Sequence, residues 1–382
     1  MSAIGCIFGL LLILLILVDG FETMVLPRRV MRSVRLARYY YRATWRPFRW
    51  LALHLPPGKR RETLLSIFGP ASILGLFVAW VVGLTIGFAV IQWSIGGPLN
   101  MNPPAAKAGF STYLYMSGVT LFTLGFGDIT PSGAVGRLLA VIEAGTGFGF
   151  LAVIIGYLPV LYTSFSAREL QVALLDARAG SPPTAGQLLL RVARSSHTPE
   201  LDPFLAQWEA WSAQLLETSL SFPVVCFYRS QHDNESWLAG LAAILDTCAV
   251  IATGIQGIDS YQARLTFAMS RHALVDLALV FKTPPCELCD DRLPTATYAR
   301  LRAMLAEAGM VLADGPEAER ALRELRSTYE PFLQALGDFF VYKVPPFMTE
   351  GRTVDNWQTS AWTRRVAHLE ELGGAPADEH FA

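Results

Sequence analysis

The residues best suited to chemistry in this chain lie between two long apolar stretches, in the run Ser117-Gly-Val-Thr-Leu-Phe-Thr-Leu-Gly-Phe-Gly-Asp-Ile-Thr-Pro131. Its centre is Thr123, Leu124, Gly125, Phe126, Gly127 and Asp128, and the chemistry it offers belongs to the backbone. An ion leaves water only where oxygens replace its hydration shell, and successive carbonyls supply those oxygens if they point at one axis. Such pointing requires the chain to alternate between ordinary and left-handed conformations. Glycine takes the left-handed one without a Cβ clash, which suits Gly125 and Gly127. The Thr123 hydroxyl closes the inner end of this ladder, and Asp128, the only acid between Glu62 and Glu143, stands at its outer mouth. Gly-Phe-Gly-Asp also occurs in plain turns, so the surroundings decide. Ser111 to Phe122 is long enough for about three turns of helix, which would aim its negative end at the carbonyls.

The segment resembles the pore loop of potassium channels, whose filter reads Thr-x-Gly-Tyr/Phe-Gly-Asp. From about Phe68 to Tyr162 the chain looks like the outer helix, re-entrant pore loop and inner helix of a bacterial potassium channel. Gly136-Arg-Leu-Leu-Ala-Val-Ile142 follows Ile129-Thr-Pro131 with the spacing that opens the inner helix in simple members of that family. The resemblance implies a potassium-selective filter at Thr123 to Asp128, with potassium as the permeant ion and no further cofactor. One loop cannot surround an ion, so a homotetramer is implied as well. The family's hinge glycine falls on Gly147, where close packing of the small-xxx-small kind, shared with Gly145, Gly149 and Gly156, is the alternative. Glu143, about two turns into the inner helix, is an ionisable group at membrane depth. It reads as a functional group or as a hydrogen-bonded strut behind the pore helix, to Ser117 or Thr120. Three departures from the family pattern stand out: Phe122 for threonine, Leu124 for valine or isoleucine, and Tyr115 with Met116 for an aromatic pair. They leave open a less selective cation channel; a non-conducting membrane-anchored sensor or interaction protein is the third reading.

Composition agrees with a membrane protein: of 382 residues, 52% are hydrophobic and 16% charged, and the mean hydropathy is +0.36. The net charge of -1 conceals eleven arginines and lysines between Arg28 and Arg61 with no acid among them. Lys107 is the only basic residue from Glu62 to Gly136. The positive-inside bias therefore places 28–61 in the cytoplasm and the 94–110 loop outside. Three spans are expected: Ile4 to Val18, which is short, then Phe68 to Trp93, then Val135 to about Tyr162. The first lacks a basic n-region and a clean small-x-small site before Asp19, so it reads as a span and not as a signal peptide. Everything after residue 165 is then cytoplasmic, and Asp128 faces outward. The expected class is an all-α multi-pass protein of the cell (inner) membrane. Its parts are an N-terminal span (1–26), a basic interfacial segment (27–64), a pore domain (65–165) and a helical cytoplasmic domain (166–382).

Arg29, Arg32, Arg35 and Arg38 recur every third residue, with Arg28 before them and Arg42 after. That spacing resembles a voltage-sensing helix, but a sensor needs neighbouring spans with acidic partners and one short span precedes it. The cations continue as Arg46 and Arg49 among Tyr39, Tyr40, Tyr41, Trp45, Phe48 and Trp50. Such a mixture predicts a helix lying along anionic lipids, cations at the headgroups and rings at the acyl boundary. A solvated or subunit-contacting face is the remaining alternative.

The second half is patterned for helices. Thr198-Pro199-Glu200 is a good helix start, followed by the core stripe Leu201, Leu205, Trp208, Trp211 and Leu215. More helices are predicted near 235–255, 259–282, 295–309, 316–340 and 357–371. Trp237 to Ile255 is apolar enough for a fourth span, yet Asp246 at its centre, with Gln256 and Asp259 just after, favours a buried helix of a soluble domain. No Gly-x-Gly-x-x-Gly follows a strand, and no nucleic-acid partner is indicated. Cys286-Glu-Leu-Cys289 has metal-knuckle spacing but no second pair in the chain. Reduced cysteines in a turn after Pro284-Pro285 are expected, the alternative being a site shared between subunits. His232 beside Asp233, in the polar run from Arg229 to Asn234, lacks a nucleophile, and no enzyme activity is expected. The five cysteines suggest free thiols and no disulfide framework.

Overall fold

Apolar runs too long for a globular core dominate the first half of the chain, and the computed structural model of the protein folds them into long helices. It describes residues 2–26, 35–102, 108–195, 200–231, 234–287 and 290–349. The chain divides into two compact units, Met1–Thr163 and Ser164–Ala382.

The first unit holds helices α1 (Ala3–Met24), α2 (Leu36–His54) and α3 (Lys59–Ile95), strand β1 (Leu99–Met101), helix α4 (Phe110–Leu121), strand β2 (Ile129–Pro131) and the start of helix α5 (Ala134–Ala179). At 22 residues α1 outruns the short span expected from Ile4 to Val18. It begins on a Ser2 cap whose hydroxyl oxygen accepts from the Gly5 N–H at 3.2 Å, which satisfies one of the orphan donors of a first turn. It continues past Val18 because Asp19, where hydropathy falls, is buried with its carboxylate hydrogen-bonded.

Helices α1 and α3 meet through small residues. A Cβ on Gly9 would stand 2.6 Å from the Gly87 carbonyl oxygen, and one on Gly87 would stand 2.7 Å from Ile13. Gly9 on one helix thus approaches Gly87 on the other, with Gly5 against Ser94 and Gly83 against Ile16, a packing through small residues that serves in lipid, where burial of apolar surface gives no drive. On α2 the rings split between two environments. Trp45 and Phe48 lie 4.7 and 5.1 Å from the Phe68 ring of α3, so they face protein and not the acyl boundary expected for them. Tyr39 and Trp50 do point outward, at 51% and 62% exposure.

The second unit continues with α6 (Ala185–Ser195), α7 (Leu201–Ser221), a 3-10 turn (Pro223–Phe227), α8 (Trp237–Gly254), α9 (Tyr261–Phe281), α10 (Thr295–Glu307), α11 (Pro316–Ser327) and α12 (Glu330–Phe340). The predicted stripe on α7 is buried from Leu201 to Leu215. Four helices of the described residues, α1, α3, α5 and α8, are long and apolar enough to cross a membrane, but the apolar window of α8 is 83% buried within the protein against 22–44% for the others. Asp246 at the middle of α8 accepts from Arg292 Nη2 at 2.5 Å and from the Tyr329 hydroxyl at 2.7 Å. A buried carboxylate with that many donors belongs to a protein core. Arg292 and Arg326 both stand over the Phe347 ring and share Glu330.

The helix predicted over 316–340 is two helices. Pro331 lacks the N–H that would continue the ladder and its ring clashes with the preceding turn, so the chain breaks at Thr328 and Tyr329. Helix α6 was not anticipated. Burial pushes the Cys226 thiol up to about 11, with its S–H donating to Ser219 Oγ at 3.2 Å. Cys286 lies in an irregular segment, and its backbone N–H donates to the Pro331 carbonyl at 3.0 Å. Thr198, Pro199, His232, Asp233, Cys289 and the helix predicted near 357–371 lie outside the described residues.

Candidate functional site

Helix α4 occupies the predicted pore-helix position and ends by tightening. The Phe122 N–H reaches the Gly118 carbonyl at 3.1 Å, Thr123 reaches Thr120 at 3.0 Å, and Leu124 reaches Val119 at 2.9 Å. From there φ is positive at Thr123 (+56°), Gly125 (+64°) and Gly127 (+78°), and not at Leu124 or Phe126. This is the alternation that turns successive carbonyls one way. A Cβ on Gly125 or Gly127 would meet nothing within 4 Å, so the backbone conformation and not a lack of space calls for glycine here. The left-handed Thr123 is the part that sequence reasoning missed, because β-branched residues avoid that region and no residue type signals it. Leu124 and Phe126 point away from the rest of the chain, 55% and 65% exposed.

The outer end of the segment is pinned twice. Asp128 Oδ2 accepts from the Tyr115 hydroxyl at 2.9 Å, and its backbone carbonyl accepts from the Asn102 N–H at 2.8 Å. Strands β1 and β2 form a small antiparallel pair, Leu99 opposite Pro131, Asn100 opposite Thr130 and Met101 opposite Ile129. Ser132 adds two bonds to the Pro98 carbonyl, from its N–H at 3.0 Å and its hydroxyl at 2.9 Å. Tyr115, which the sequence marked only as a departure from a family pattern, is thus the side chain that orients Asp128. Its neighbour Met116 is buried against Ala89 and Tyr113.

Behind the segment, Glu143 is fully buried and joins three helices. Its Oε2 accepts from Gln92 Nε2 of α3 at 2.8 Å, and its Oε1 contacts the Ser117 hydroxyl of α4. Ser117 Oγ also lies 2.8 Å from the Thr85 carbonyl. A carbonyl only accepts and a hydroxyl has one proton, so Ser117 donates to one of these two acceptors at a time. Of the two partners expected for a strut, Ser117 is present; Gln92 was not foreseen.

Gly147 sits where α5 crosses the end of α4. A Cβ there would overlap the Leu121 carbonyl oxygen and lie 2.8 Å from the carbon of that carbonyl, whereas a Cβ on Gly145, Gly149 or Gly156 would meet nothing within 4 Å. Within one chain, Gly147 alone of the four is in close packing.

Of the basic stripe, the described residues are Arg35, Arg38 and Arg42. Arg35 is the extended residue before α2, its Nη2 donating to the Glu22 carbonyl and to Thr23 Oγ1 at 3.4 Å each. Arg38 and Arg42 lie on α2, with Arg42 exposed, while Arg28, Arg29 and Arg32 lie outside the described residues.

Comparison with known proteins bears on the same stretch. Residues 75–163 match the ion channel family. Protein LctB of Bacillus caldotenax is 36% identical over 90 residues, covering 22% of this chain and 66% of that protein. Protein LctB of Geobacillus stearothermophilus matches over the same proportions. A protein named uncharacterized membrane protein YdjJ, from Bacillus subtilis (strain 168), is 25% identical over 193 residues, covering 50% of this chain and 55% of that protein. The chain thus spans between about half and two thirds of the length of these relatives. No solved structure matches it. With the long apolar helices α1, α3 and α5, the chain is a multi-pass membrane protein, and its residues 75–163 are an ion-channel pore domain.

Proposed function

We propose that four copies of this chain assemble around one axis as a potassium-selective channel of the cell membrane, with Thr123, Leu124, Gly125, Phe126, Gly127 and Asp128 as the filter. The observation that carries the reading is the alternation of left-handed residues at positions 123, 125 and 127 directly after the carbonyl end of α4. Exposure supports assembly. Leu124 and Phe126, in the segment between α4 and β2, are apolar side chains with no cover in a single chain, and a symmetric oligomer supplies it. Residues 1–26 are the N-terminal span, 27–64 the basic interfacial segment against anionic lipid, 65–165 the pore, and 166–382 a cytoplasmic domain that gates or assembles it.

Reconstituted protein is expected to pass potassium down a gradient with sodium strongly excluded, read as the reversal potential in mixed ions. Leu124 and Phe122, in place of the residues usual in the family, favour as second reading a less selective cation channel; a reversal potential near zero with potassium on one side and an equal concentration of sodium on the other selects it. Absence of flux from a folded tetramer would leave a scaffold or sensor and sink both channel readings.

Orientation follows from the basic segment being inside. In a background with Cys6 replaced by serine, an impermeant thiol reagent added to intact cells is expected to label Asn100→Cys and not Pro56→Cys, both exposed positions. Labelling of the second without permeabilisation overturns the topology and the polarity of the pore.

A further inference from the structure

Asp19 is an acid in the apolar helix α1, 2% exposed, and it serves three helices at once. Its Oδ2 accepts from the Ala37 backbone N–H at 3.0 Å and from Trp80 Nε1 at 3.0 Å. Ala37 is the second residue of α2, so its N–H is one of the four donors that a helix start leaves without an internal partner. A residue eighteen positions upstream therefore caps α2, while no side-chain cap comes from Arg35 at the usual position. The same oxygen holds the Trp80 indole, whose ring stands edge to face with Phe150 of α5 at 5.8 Å. Phe150 follows Gly147 by one turn on the helix that the pore reading makes the inner one. Phe77 of α3 extends the contact, with Trp80 at 5.9 Å and Tyr157 of α5 at 6.2 Å. One carboxylate thus links the start of α2 to the inner helix through two aromatic rings.

The outward face of α2 carries Arg42 and Arg46 beside the exposed Tyr39 and Trp50, in a stretch with no acid from Arg28 to Arg61. Cations flanked by interfacial rings are complementary to the phosphates of anionic lipid headgroups. We propose that this face reads the anionic lipid content of the inner leaflet and that Asp19 is the positioning residue that passes the reading to the pore, through Trp80 and Phe150. The proposal rests on the interfacial reading of α2 given above. A bound leaflet that biases the angle of α2 biases the Asp19–Trp80 contact, and hence the seat of Phe150 on α5. The lipid acts only by favouring one seating over the other.

The test is potassium flux from the full-length protein in vesicles of phosphatidylcholine with a rising fraction of phosphatidylglycerol. Wild type is expected to rise with the anionic fraction. Arg42→Gln/Arg46→Gln is expected to move the half-maximal fraction upward by about 5-fold or more, the weight of a basic residue at an anionic surface being about 1 kcal/mol. Asp19→Ala is expected to flatten the dependence while leaving the potassium-to-sodium ratio unchanged, and Trp80→Phe, which deletes only the indole N–H, to weaken it. Asp19→Asn keeps an acceptor oxygen and should retain the dependence; it also separates positioning from folding if the alanine variant does not assemble. An unchanged curve for the double arginine variant overturns the lipid reading itself. A shifted curve for that variant with wild-type curves for Asp19→Ala and Trp80→Phe overturns only the route through Asp19. Stimulation of flux in pure phosphatidylcholine by inorganic phosphate would show a free anion as the occupant and overturn the headgroup assignment.

Discussion

Gly125→Ala should abolish potassium flux while the assembled oligomer persists. The added methyl meets no atom within 4 Å, so the lesion is conformational: φ is +64° at this position. An L-residue there costs about 1–2 kcal/mol, and under the proposed symmetry the cost recurs in every subunit. The chain escapes it by moving φ back to the ordinary region, which swings the adjoining carbonyl off the axis and leaves an ion without part of its oxygen shell. Flux from vesicles and oligomer size in detergent, measured on the same preparation, separate loss of conduction from loss of assembly. A Gly125→Ala protein that conducts like wild type would mean that this segment is not the filter, and the channel proposal would have to be abandoned.

Gly147→Ala should damage the protein in a different way. Here φ is unremarkable and space is the constraint, because the new Cβ overlaps the Leu121 carbonyl at the end of α4. Overpacking of this sort costs about 1–3 kcal/mol, and it is delivered two residues before the left-handed Thr123. The expected result is a lower melting temperature of the oligomer together with reduced flux, while Gly149→Ala, whose methyl meets no atom of its own chain, lowers melting less. A purely flexible role predicts the reverse emphasis, unchanged melting with impaired opening. Unchanged melting of Gly147→Ala would therefore restore the hinge reading.

Much of the candidate site was legible because its demands are local. The requirement for left-handed backbone announces itself as glycine at 125 and 127, and the carbonyl end of a short helix just before them follows from length alone. The unforeseen parts depend on partners distant in the chain. Tyr115 reaches Asp128, Gln92 reaches Glu143 and Trp80 reaches Asp19 across 13, 51 and 61 residues. Each pair is chosen by how separate segments pack together and not by any periodicity within one of them. The end of α1 was missed for the same reason: hydropathy sees an acid at position 19 and stops, whereas the fold supplies it with two donors. In the second unit, spacing gave the stripe of α7 but passed over Pro331, which divides a continuous helical pattern into α11 and α12.

Helix α8 raises a question of timing during synthesis. Its partners for Asp246 are Arg292 and Tyr329, 46 and 83 residues further on, so α8 leaves the ribosome as an apolar segment with an unpaired acid at its centre. The insertion machinery weighs such a segment before its core exists, and an aspartate at the middle of a helix counts against entry by about 2.5–3.5 kcal/mol. Under the topology proposed above, the carboxylate acts first as an address, turning α8 away from the bilayer that takes up α1, α3 and α5, and only later as the ion-pair partner of Arg292.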